Sequence, residues 1–135
     1  MKIEIRNIDL ERVIVFLERE NFKGLKSVMR SKLTNFLGKE LEIVATGEKT
    51  IREDYMDDKD KRTKELKAFF DEKVVVEGGN MLKPLNVVKA KIKELTSEEC
   101  EQEFSGNDAY ALSILYDAFN LDKGEDVNES DDNGN

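Results

Sequence analysis

Between Leu25 and Val44 the chain reads LKSVMRSKLTNFLGKELEIV, and its apolar residues recur at helical spacing. Leu25, Val28, Met29, Leu33, Phe36, Leu37, Leu41 and Val44 fall on one stripe. A helix of roughly five turns with one apolar face must bury that face against other segments. In a chain of 135 residues there is room for one core of ordinary size, so the other segments have to supply the cover. Gly38 lies inside the stripe and costs about 1 kcal/mol against Ala, which marks a bend or a close helix contact.

The covering segments can be read in order. KIEIR at 2–6 alternates charged and apolar residues, the period of a half-buried strand. Asp9 is a good N-cap for the helix that follows, in which Leu10, Val13, Ile14 and Leu17 share a face. Val15 and Phe16 widen its apolar arc, so this helix is expected to be covered on more than one side. Residues 46–62 are ambiguous between a helical continuation through Ile51, Tyr55 and Met56 and an exposed loop. KRTKELKAFFDEK at 61–73 predicts a helix burying Leu66, Phe69 and Phe70. Val74–Val76 predicts a short strand before Gly78-Gly79. Pro84 suits the first turn of a helix carrying Leu85, Val88, Ile92 and Leu95 on one face.

ECEQEF at 99–104 alternates as well and is expected to pair with residues 2–6; a capping box from Thr96 to Glu99 is the helical alternative. Ser105 and Asp108 read as N-cap and N3 of a capping box, with Phe104 covering the first turn and Ala109, Leu112, Leu115 and Phe119 as its core stripe. The expected fold class is therefore α+β and predominantly helical. Three to five helices pack around Leu10, Ile14, Leu17, Leu33, Phe36, Leu37, Phe69, Phe70, Leu112, Leu115 and Phe119, beside a small two-stranded antiparallel sheet. The domain is expected to span 1–120.

Charge sets the boundary at 120. Residues 121–135 hold six acids and one base, a net −5, whereas residues 1–120 carry only −3 of the total −8. The terminal stretch has no periodicity and is expected to be a disordered acidic tail. Charged residues make up 39% of the chain and hydrophobic residues another 39%, too apolar for disorder throughout. No apolar run approaches the ~18 residues of a membrane span, and the first ten residues lack the apolar region of a signal peptide. The single Cys100 excludes an internal disulfide and fits a reducing cytoplasm.

The chemistry is bounded by what is missing. There is no histidine, which removes the neutral-pH acid–base group and every Ser-His or Cys-His pairing. Cys100 is surrounded by Glu98, Glu99, Glu101 and Glu103, and negative neighbours disfavour a thiolate nucleophile. Starting a calcium loop at Asp58 places Arg62, Thr63 and Phe69 where a ligand, a glycine and a glutamate are required. Asp58, Asp60, Glu65 and Lys67 mimic the acidic pattern of metal-dependent nucleases, but on a predicted helix rather than converging strand ends. VVVEGGN lacks the spacing of a phosphate loop. No catalytic, cofactor or metal residues are assigned.

Two surface clusters are candidates for partner binding. The acidic one is Glu94, Glu98, Glu99, Glu101 and Glu103. The weaker, basic one is Lys23, Lys26 and Arg30, with Lys39 further along; nearby acids nearly cancel it, so direct nucleic-acid binding is not expected.

MKIEIRNIDLERVIVFLE, FKGLKSVMRSKLTNFL, VVVEGG and EFSGNDAYALSILYDAF together resemble, in the same order over most of residues 1–119, an uncharacterised domain-of-unknown-function family. Its members are small proteins from phages and prophages of Gram-positive bacteria. The resemblance implies a host-cell cytoplasmic protein and transfers no activity and no functional residues. The basic cluster usual after the Lys-Gly turn is thinned here to Lys26, Arg30 and Lys32. Two functions follow as expectations. One is a small non-catalytic phage accessory protein that binds a phage or host protein. The alternative is an inhibitor of a host defence nuclease, whose carboxylates imitate phosphates in a basic nucleic-acid channel.

Overall fold

The computed structural model describes residues 1–123. Among the described residues there are five helices and one two-stranded sheet: β1 (Lys2–Arg6), α1 (Leu10–Arg19), α2 (Leu25–Asp54), α3 (Lys59–Asp71), β2 (Lys73–Glu77), α4 (Gly79–Leu95) and α5 (Gly106–Ala118). A short 3-10 turn at Asn7–Asp9 joins β1 to α1, and a second covers Leu121–Lys123. The class is the predominantly helical α+β fold that the patterning predicts. Leu121, just past the boundary expected at 120, packs on the core. The remainder of the acidic stretch, 124–135, lies outside the described residues.

The strand at 2–6 is present, but its partner differs from the one expected. β1 pairs antiparallel with β2, with Ile3 opposite Val76 and Ile5 opposite Val74. Both strands alternate exposed and buried residues in phase, so one face carries Ile3, Ile5, Val74 and Val76 into the core and the other carries charge. β-branched residues suit this half-buried pleat. Residues 99–104 have none and form neither strand nor helix. After α4 ends, the Thr96 hydroxyl donates to the Ile92 carbonyl at 2.8 Å, and a turn closes with Cys100 N–H donating to Ser97 O. The alternation of 99–104 still has a physical use. Cys100 and Phe104 lie half-buried against the core, with the Phe104 ring 6.0 Å from that of Phe16, while Glu99, Glu101 and Glu103 face solvent.

The stripe of α2 is the spine. It packs against α1, α4 and α3, burying Leu33, Thr34, Leu37 and Val44. Its first turn departs from expectation: Leu25 and Val28 are 66% and 47% exposed, because the Phe22–Gly24 turn leads into the helix from outside the core. The ambiguous stretch resolves as helix to Asp54, a turn at 55–57, and α3. Asp58 caps α3 by accepting from the Lys61 N–H at 3.1 Å, and Arg62 donates to the Tyr55 and Met56 carbonyls at the end of α2.

Three further sequence expectations are corrected. Gly38 meets nothing within 4 Å at the position of a Cβ; the close contact is at Gly47, where a Cβ would come within 2.5 Å of the Phe69 ring. Pro84 sits in the second turn of α4 rather than the first. Neither expected side-chain cap forms at Asp9 or Ser105. Asp9 is buried and receives Arg6 at 3.1 Å and Arg12 at 3.5 Å instead. Asp108 turns to Arg19 at 3.5 Å, and the entry to α5 is made by Gly106 at φ +57°.

Candidate functional surfaces

The α1 face away from α2 carries the most distinctive surface. Ile8, Arg12, Val15 and Arg19 recur at three- and four-residue spacing, so they line one side of the α1 segment. α5 packs beside α1 and contributes Asn107, Asp108 and Tyr110. All but Tyr110, which joins them through Arg12, line a shallow groove of about 300 Å³. Ile8 is 51% exposed, Val15 37% and Tyr110 63%. The Arg12 guanidinium lies 5.3 Å from the Tyr110 ring centre and also holds Asp9, so the cation is positioned from two sides. The Arg19–Asp108 pair closes one end. The widened arc of α1 predicts cover on more than one side. Phe16 receives that cover and is buried, whereas Val15 does not.

Four of the five acidic candidates occupy the connector between α4 and α5, and Glu94 lies at the end of α4. Glu94, Glu98, Glu99, Glu101 and Glu103 are all exposed. Glu94 stands apart from the other four, held 3.6 Å from Lys91 on α4. Gln102 ties the connector back to α1 by donating to Glu20 at 3.2 Å.

The basic candidates separate. Arg30 donates to the Leu17 and Glu20 carbonyls at 2.7 and 2.9 Å, satisfying groups that the end of α1 leaves free, and its guanidinium covers the Phe22 ring at 5.0 Å. That role is structural. Lys23 and Lys26 remain together on a different groove, shared with α4. Spacing alone groups Arg30 with the lysines; only the packing of α1 on α2 shows that its guanidinium is held by the end of α1 and the Phe22 ring.

The nuclease-like pattern of Asp58, Asp60, Glu65 and Lys67 does not assemble into a metal-holding cluster. Leu66 is buried, Lys67 pairs with Asp71 at 2.8 Å, and Asp58 is a helix cap. The hydrogen bond from Lys67, with Arg6 adding its charge, holds the Asp71 carboxyl below the ordinary carboxylate range. Among the described residues no three His, Cys, Asp or Glu side chains are grouped to hold a metal ion. Cys100 is half-buried against the core. No described helix is long and apolar enough to cross a membrane.

No family model, curated protein or solved structure matches the chain.

Proposed function

We propose that this is a small, non-catalytic accessory protein, of phage origin, that acts by binding another protein through the α1–α5 face. The observation that carries the reading is the exposure of Ile8, Val15 and Tyr110 around a positioned Arg12. Apolar side chains scattered singly on a surface need no explanation, but Ile8 and Val15 line one groove with Arg12, and Tyr110 lies against that same arginine. Tyrosine and arginine are the residues that most often dominate protein–protein binding energy, and charged neighbours form the rim that such a centre needs. The second reading, an inhibitor that imitates nucleic acid, is supported by the solvent-facing Glu98, Glu99, Glu101 and Glu103.

Affinity capture from the infected host with matched variants separates the two. A partner held by the intact protein is expected to be lost on Val15→Glu or Tyr110→Ala, and retained when the four connector glutamates become lysine. The reverse pattern, with binding that collapses as salt is raised, points to nucleic-acid mimicry. Turnover of nucleic acid or nucleotide that disappears on Asp60→Ala or Glu65→Ala defeats both readings.

A further inference from the structure

The outward stripe of α1 lies opposite the side that enters the core. Glu11, Val15, Glu18 and Arg19 are exposed and Arg12 is half-buried, while Leu10, Val13, Phe16 and Leu17 are buried. The charges on this stripe are ordered about Val15. Four residues before it stands an acid, Glu11, and four after it a base, Arg19. Three residues before it stands a base, Arg12, and three after it an acid, Glu18. A two-fold axis through Val15 lays an antiparallel copy of the helix against the first. Residues equally far before and after the axis then face each other on the same side of the seam. Glu11 meets Arg19 of the second copy and Arg12 meets its Glu18, each twice by symmetry. Parallel pairing instead sets every charge against its own like. At the centre Val15 meets Val15, and Ile8, also exposed, flanks the seam at either end. Arg19 lies 3.5 Å from Asp108, and a guanidinium with five N–H donors serves a second carboxylate as well. Two acids and two bases leave the stripe itself neutral, in a chain whose net charge is −8.

We infer that two copies of this chain associate through α1, antiparallel about a two-fold axis at Val15. The dimer rests on the reading of the α1–α5 face as a protein-binding surface, and it names a second copy as what covers the α1 part of that face in the purified chain. Another partner then competes with the second copy for Val15. A helix of ten residues offers a short seam, and short seams belong to weak, reversible association. An unrelated acidic or basic partner matches only half of the stripe's charges, whereas a second copy matches all four.

The test is sedimentation of the intact chain over roughly 1 μM to 1 mM, where a weak dimer forms progressively. Each charge reversal on the stripe turns two facing pairs from attraction to repulsion. Glu11→Arg and Arg19→Glu are each expected to weaken the dimer about tenfold, although the first raises the net charge by two and the second lowers it by two. The double variant Glu11→Arg, Arg19→Glu restores opposite charges across the seam and is expected to recover the dimer to within about threefold. Lys39→Glu, an exposed change on α2 with the same net effect as Arg19→Glu, is expected to leave association unchanged. A chain that stays monomeric throughout overturns the inference and leaves capture of another protein through this face standing. A dimer in which the double variant is no better than either single reversal overturns it too. Recovery in the double variant, with no other protein captured from the host, keeps the dimer and removes the accessory function.

Discussion

Asn7 donates its side-chain amide to the Phe69 carbonyl at 2.8 Å, while its own backbone N–H donates to the Glu72 carbonyl at 2.8 Å. One buried residue thus fastens the end of β1 to the α3–β2 junction. Read as sequence, Asn7 is only an interruption of the strand pattern; its partners lie more than sixty positions away and no local spacing reveals them. Asn7→Ala is expected to destabilise the fold by about 1 kcal/mol, seen as a shifted denaturation midpoint at unchanged slope. At the start of α5 the two adjacent residues have opposite expectations. Ser105 makes no side-chain cap, so Ser105→Ala should change stability by no more than a few tenths of a kcal/mol, the ordinary surface range. Gly106 holds φ +57°, and Gly106→Ala should cost about 1–2 kcal/mol. Equal losses from both substitutions would mean that the hydroxyl caps after all. The motif Ser-x-x-Asp is legible in sequence; that Arg19 competes successfully for Asp108 is not, because it requires α1 to lie against α5.

Among helices and strands, the long-period patterns were readable and the pairings were not. The stripe through Leu33, Leu37 and Val44 and the face of Leu85, Val88 and Ile92 announce buried helices without any knowledge of neighbours. Alternation, by contrast, is shared by 2–6, 73–77 and 99–104, and period alone does not choose a partner. Side-chain shape does choose: Ile3 and Ile5 meet Val74 and Val76, whereas 99–104 offers Cys100 and a run of glutamates. The two glycines of α2 make the same point. Gly38 borders open space, so Gly38→Ala should stabilise by about 1 kcal/mol from helix propensity. Gly47 faces the Phe69 ring of α3, and there the ~1–3 kcal/mol cost of overpacking outweighs that gain, so Gly47→Ala should lower the melting temperature. A rise at both positions would show that α2 and α3 do not pack as closely as Gly47 and Phe69 imply.

Taken whole, the described residues close a core and leave one α1 side uncovered among themselves. Ile3, Leu10, Phe16, Leu17, Leu37, Leu85 and Leu115, all but inaccessible to solvent, come from five elements, β1, α1, α2, α4 and α5, which together close the interior. Under the proposed function the Ile8–Arg12–Val15 side of α1 serves recognition rather than folding, with charged residues bordering its apolar ones. The widened apolar arc marks Val15 and predicts cover on more than one side of α1, but nothing in the pattern distinguishes an internal neighbour from an external one. The most direct test is amide hydrogen exchange on the free protein and on its complex with the captured partner. Binding through this face predicts new protection across residues 8–19 and at the first turns of α5, with residues 98–103 unchanged. Protection confined to 98–103, with α1 exchanging as in the free protein, would place recognition on the acidic connector instead.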